Sequence, residues 1–83
     1  GIKNVNGAMA NIYPNPATER LYVESASAVR SVISSIEGKT ILKSGLVKGK
    51  SEIDISSLSP GVYTITLYDE TGTRVAVQKL VKE

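Results

Sequence analysis

Histidine and cysteine are both absent from this chain, which removes the usual candidates for a catalytic nucleophile and its base. Acyl transfer needs a nucleophile beside a base of near-neutral pKa, and here the many serines have no such partner. Two pairs of carboxylates remain. Glu52 and Asp54 share a strand face in "SEIDIS", and Asp69 and Glu70 share the short segment "DETG". Paired carboxylates can work on a glycosidic bond, but a solvated strand face and a hairpin loop are the preferred readings of the two pairs. Calcium would want more converging oxygens than the two carboxylates and one hydroxyl of "DETG", in a different order. Zinc has no ligand set, and no glycine-rich phosphate cradle precedes a helix. No catalytic residue, metal or cofactor is expected, and the chain is not expected to be an enzyme.

Composition narrows the partners in the same way. The chain has 83 residues, ten basic and eight acidic, with a net charge of +2. That length suits one domain, whose core contributes only ~3–5 kcal/mol of net stability. The basic residues are scattered through the sequence, with no stripe to neutralise a phosphate backbone, so nucleic acid is not an expected partner. No apolar run approaches the ~20 residues that cross a bilayer as a helix, and no basic amphipathic helix can be drawn, so direct membrane insertion is not expected. The lack of cysteine leaves the redox compartment undetermined. Gly1 is not an initiator methionine and "GIKNVNGAMA" has no long apolar stretch of a signal peptide, so the piece reads as the end of something larger.

Positioning these residues falls to short strands. Valine, isoleucine and leucine supply most of the apolar content, and glycines are spread as turn punctuation. Residues 1–9 have the pattern of a tether and the domain is expected over 10–83. "ANIY" is a short strand stopped by Pro14, and Asn15 is restricted in turn by Pro16, giving a rigid corner. In "RLYVES" Leu21 and Val23 point one way, with Arg20, Tyr22 and Glu24 the other. "AVRSVISSIEGKTILKSG" reads as two strands joined at Ser35–Gly38, with Gly38 taking positive φ. The β-branched residues of its first arm favour strand over the competing helix. "SEIDIS" turns Ile53 and Ile55 inward. "SLSPGVY" offers Pro60 and Gly61 as the centre of a type II turn, with Leu58 plugging one end of the core. "VYTITLY" puts Tyr63, Ile65 and Leu67 on one face and is the best candidate for a central strand. In "TRVAVQKLVKE" Leu80 falls out of register with Val75 and Val77, which suggests a bulge or a strand covered on both sides near its end. Ser35–Ile41 and Asp69–Val75 are alike enough to be two hairpins of one sandwich. About seven short strands with turns every ten residues or so predict an all-β, small antiparallel immunoglobulin-like β-sandwich.

The ordered set "IYPNPATERLYVES", "VISSIEGKTIL" and "IDISSLSPGVYTITLYDETGTRVAVQKLVK" closely resembles the type A C-terminal sorting domain of the type IX (Por) secretion system of Bacteroidetes. The resemblance runs from Ala10 to Glu83. It implies an immunoglobulin-like domain at the end of a cargo protein, recognised in the periplasm, carried across the outer membrane and removed by a surface sortase. The partners it implies are the translocon, an outer-membrane shuttle protein, the sortase and the upstream cargo. The destination is the cell surface or the medium.

Residue by residue, the corner motif falls on Tyr13, Pro14, Asn15, Pro16 and Ala17, and the mid-domain loop on Gly38 and Lys39. The closing motif falls on Lys79, Leu80, Val81 and Lys82, with Pro60, Gly61, Val62 and Tyr63 opening that C-terminal segment. "SSIEG" departs from relatives, which more often carry Asn or Asp early in this loop. An edge strand at the terminus exposes unpaired backbone that a receptor can read by strand addition, with Lys79 and Lys82 supplying charge contacts. The opposing reading is that the lysines only guard the edge from aggregation. The same unprotected edge leaves homodimerisation open. Pro14 and Pro16 are expected to shape the fold rather than carry the signal, and cleavage is expected within residues 1–9. The alternative function is a surface spacer or a carbohydrate- or protein-binding sandwich that stays attached to its host, for which four scattered tyrosines and no tryptophan are thin support.

Overall fold

Alternating burial along each extended segment is what pairs these strands into two layers. A computed structural model describes residues 10–83; the tether and cleavage region expected at residues 1–9 lie outside the described residues. Seven strands follow in order: β1 Ala10–Tyr13, β2 Arg20–Ser25, β3 Arg30–Ser35, β4 Thr40–Gly45, β5 Gly49–Asp54, β6 Gly61–Tyr68 and β7 Arg74–Lys82. They form a three-stranded sheet, β1-β2-β5, and a four-stranded sheet, β4-β3-β6-β7. All strand pairs are antiparallel. No helix occurs among the described residues, so the small β-sandwich expected from the sequence is the fold.

The core lies between the sheets. Leu21, Val23, Ile53 and Ile55 come from the three-stranded side, Ile33, Ile65, Leu67 and Leu80 from the other, and all are buried. The predicted inward faces of β2, β5 and β6 are the observed ones. β6 lies between β3 and β7, so it is central as its pattern suggested. Three of the buried residues are polar, Ser25, Ser31 and Lys82. Ser31 is buried on the inner face of β3, and among the described residues its hydroxyl has no hydrogen-bond partner.

β4 stays with β3 rather than extending β1-β2-β5, whereas in constant-type immunoglobulin domains the fourth strand joins the first-strand sheet. The cause is the tight hairpin between β3 and β4. Gly38 N–H donates to Ser35 O at 2.9 Å and Ser35 N–H to Lys39 O at 2.8 Å, with Gly38 at φ +93°. That is a turn closed by a glycine bulge, which leaves no length to cross to the other sheet. The β6–β7 hairpin repeats it: Gly72 N–H donates to Asp69 O and Asp69 N–H to Thr73 O, both at 3.0 Å, with Gly72 at φ +85°. The internal similarity read from the sequence is therefore two equivalent hairpins in one sheet.

Two local expectations are corrected. Pro60–Gly61 is not the centre of a type II turn. The hydrogen-bonded turn lies earlier, where Leu58 N–H donates to Ile55 O at 3.0 Å, and Gly61 instead opens β6 at φ +154°. The Asp54 carboxylate accepts from Ser56 N–H at 2.9 Å and so starts the chain turning before the proline is reached. The bulge in β7 exists, but at its beginning: the register shifts between Leu67 and Tyr68, opposite Ala76 and Arg74, which leaves Val75 as the extra residue. Beyond it Ala76, Gln78 and Leu80 face inward and Val77 outward, so Leu80 is in register with the true inner face.

Candidate functional site

The residues singled out at the end of the chain are brought together by β6–β7 pairing. Gly61 lies opposite Lys82, Val62 opposite Val81 and Tyr63 opposite Leu80. Leu80 is fully buried and anchors the strand to the core. Tyr63 donates its hydroxyl to Ser59 O at 2.6 Å, tying β6 to the loop four residues upstream. This is the arrangement of the tyrosine corner near the start of the sixth strand in immunoglobulin-like domains, and it occupies the phenol in architecture.

β7 is an edge strand, as expected, but its C-terminal half is not an open edge. The proline corner lies along it. Asn15 acts as a substitute strand neighbour: its Nδ2 donates to Lys79 O at 2.8 Å and its Oδ1 accepts from Val81 N–H at 2.9 Å. Two residues on, Ala17 N–H donates to Val81 O and Glu83 N–H donates to Ala17 O, each at 2.8 Å, in a parallel bridge between Ala17 and Lys82. A carboxamide presents an N–H donor beside a C=O acceptor, as a peptide group does, which is why asparagine can fill this place. Ala17 is fully buried, so its methyl group fixes the distance between corner and strand. The X–Pro bonds of Pro14 and Pro16 are both cis. The rest of the corner is braced from β2. The Tyr13 ring stacks on Tyr22 with centroids 5.6 Å apart, and its hydroxyl donates to Glu24 Oε2 at 2.6 Å, which holds the phenol above the usual tyrosine pKa.

Antiparallel ladders point successive residues' backbone groups alternately toward and away from the neighbouring strand. Since Lys79 O, Val81 and Glu83 N–H face the corner, the N–H and C=O of Val77 and the N–H of Lys79 face the same side. No described strand pairs with them there. The open edge therefore lies just upstream of the closing motif, centred on Val77.

The two lysines of that motif, expected either to supply charge contacts or to guard the edge, lie on opposite faces of β7. Lys79 is exposed on the outer face, whereas Lys82 is only 8% exposed, at the inner rim of the sandwich, with Nζ 3.4 Å from Glu83 O. An offset of three residues reverses the face of a strand, so this separation was readable from the sequence. Gly38 and Lys39 sit on the β3–β4 hairpin at the same end of the sandwich, because Ser35 pairs with Tyr63, and their hydrogen bonds go to Ser35 rather than to the corner. What sequence reasoning missed is the contact of Asn15 with β7, 64 and 66 residues apart in the chain.

The paired carboxylates find structural employment. Asp69 Oδ1 accepts from the Thr71 hydroxyl at 2.7 Å and from the N–H groups of Thr71 and Thr73 at 3.0 Å. These bonds, the Thr71 hydroxyl foremost, hold its pKa below the ordinary carboxylate value. Asp54 is lowered likewise by Ser56. Glu52 pairs with Arg20 at 2.9 Å on an exposed face. No group of three metal-ligating side chains occurs among the described residues.

Comparison with known proteins converges on the same segment. The model of the family described as "Secretion system C-terminal sorting domain" matches residues 11–83. Among curated proteins, Beta-agarase D of Zobellia galactanivorans is 29% identical over 72 residues, which is 87% of this chain and 15% of that relative's length. The span of the family match takes in the corner, both glycine hairpins and the closing strand, and the chain belongs to this family, carrying the C-terminal sorting signal of type IX secretion.

Proposed function

We propose that the export apparatus reads the open stretch of β7 by adding a strand beside Val77, while the corner holds the last residues of that strand in place. The observation behind this reading is the Asn15 carboxamide, which covers the backbone of Lys79 and Val81 and leaves Val77 uncovered. An edge strand with unpaired backbone is a template for strand addition, and exposed Lys79 at its boundary supplies a charge contact. The domain itself catalyses nothing. Its cargo lies upstream in the same polypeptide, an outer-membrane shuttle protein and the translocon engage it in the periplasm, and a surface sortase removes it by cutting within residues 1–9.

Delivery of a fluorescent reporter fused ahead of residues 1–83, in a bacterium with this secretion route, tests the reading. Val77→Pro deletes an N–H that no described strand uses, a change edge strands tolerate. It is expected to abolish surface delivery while the circular dichroism of the purified domain stays that of a folded sandwich. Normal delivery of this variant would sink strand addition at Val77. Asn15→Ala removes two hydrogen bonds and is expected to lower unfolding free energy in urea by about 1–2 kcal/mol. Mass spectrometry of the mature exported protein, showing the segment absent, checks its removal.

A further inference from the structure

Four of the ten basic residues that look scattered in the sequence come together in space. Strand register places Arg30, Lys43, Arg74 and Lys79 on the outer face of the four-stranded sheet. Arg30 is opposite Tyr68 and Tyr68 opposite Arg74; Val32 is opposite Lys43; Thr64 is opposite Lys79. Each of these residues is on the side opposite buried Ile33, Ile65 or Leu80, and all four cations are exposed. The Arg30 guanidinium carbon lies 5.0 Å from the centroid of the Tyr68 ring, a cation–π contact on this face.

None of the eight acidic residues shares this face. Glu24, Glu52 and Asp54 are on the outer side of the other sheet, Glu19 precedes it, Glu37, Asp69 and Glu70 are in hairpin loops, and Glu83 is terminal. Among the described residues none of the four cations has a carboxylate partner, for the one ion pair is Arg20–Glu52. Between the charges the surface is apolar and β-branched: Val62 is 45% exposed and Val77 51%. Unpaired charge of one sign around exposed valines is the composition of a docking face.

We infer that the outer face of the four-stranded sheet docks an acidic protein surface. The charge pattern selects the occupant. Residues 1–9 carry Lys3 and no carboxylate, so they do not complement it. A second copy would offer the outer face of β1-β2-β5, where the carboxylates are interleaved with Arg20 and Lys50. A polyanion such as nucleic acid has no use for the central valines and would want cations in a continuous track. Four strands and about four rows of outward residues make a face of roughly 15 by 20 Å, the scale of a transient contact rather than a permanent one. The face adjoins the open edge at Val77, so a partner strand added there brings its own protein body over these cations.

This inference rests on the export reading, and its test separates the two by avoiding the strand edge. Lys43→Glu/Arg74→Glu reverses two charges far from the corner. Lys48→Glu/Lys50→Glu makes the same net change off this face. Each is placed in the reporter fusion, and each purified domain is melted. The first pair is expected to reduce surface delivery by at least about tenfold, since like charges across an interface are strongly repulsive. The second pair, and the conservative Lys43→Arg/Arg74→Lys, should deliver as the unsubstituted fusion does. Should the reversed pair fail to fold, Lys43→Gln/Arg74→Gln takes its place, with a smaller loss expected. Equal loss from both charge-reversed pairs, or undiminished delivery by the face variant, would overturn the inference while leaving the export reading intact. Concentration-dependent dimers that the face variant abolishes, seen by sedimentation, would also overturn it in favour of a second copy. An unsubstituted fusion that is not delivered would instead remove the export reading itself.

Discussion

Asn15 shows how one side chain can do the work of a strand. Its amide supplies the donor and acceptor that a backbone neighbour would, and two prolines limit the conformations open to it. Asp69 does comparable work inside a loop by accepting three hydrogen bonds with one oxygen. The charged forms of Asp69 and Asp54 are favoured by hydrogen bonding, so both folded pKa values lie below the unfolded ones. Stability from these contacts is therefore fully present above the unfolded carboxylate pKa of about 3.9 and is lost as pH falls through the lower folded values. Melting temperature is expected to stay level from neutral pH to about 5 and to fall below about pH 4. An Asp54→Asn/Asp69→Asn variant should show a shallower acid-side decline; an unchanged decline would assign acid sensitivity to other carboxylates.

Among the elements, the two glycine hairpins were legible because their signals are local: an acid-containing loop, glycine at the fourth position and β-branched flanks. They differ in what the first loop residue does. Ser35 Oγ accepts from Lys39 N–H at 3.2 Å, where Asp69 makes three bonds. Ser35→Asp would add an acceptor for the loop amides and is expected to stabilise by about 0.5–1 kcal/mol, read as a higher urea midpoint with unchanged slope. A lower midpoint would mean the two loops are not equivalent. The Pro60–Gly61 turn was misplaced for the opposite reason. Pro-Gly is a strong turn signal taken alone, but Asp54 captures the amide of Ser56 first and the chain has already reversed by Leu58.

For the molecule as a whole, β7 is part of the core and, in the function proposed above, also the strand that is read. Deleting Lys79–Glu83 removes buried Leu80 together with every bond the corner makes to the strand. Loss of a buried leucine alone costs roughly 2–5 kcal/mol, against a net stability of only ~3–5 kcal/mol for a domain this small. The truncated domain is expected to be unfolded by circular dichroism, so its failure to be exported would not by itself identify a signal. A folded truncated domain would show that β7 ends before its closing motif. Substituting exposed Lys79 avoids this difficulty, because nothing in the core depends on its side chain.

Strand positions, the inward faces of β2, β5 and β6, both hairpins, the absence of histidine and cysteine and the family resemblance were determined by the sequence alone, since they depend on a two-residue period, on turn chemistry and on which residue types are present. Tertiary structure decided the rest. No local pattern tells a corner at Asn15 that its partner is the backbone of Lys79 and Val81, and none reveals that Arg30, Lys43, Arg74 and Lys79 share a surface. Both follow from which strands become neighbours, and that is set by how the two apolar faces close on each other.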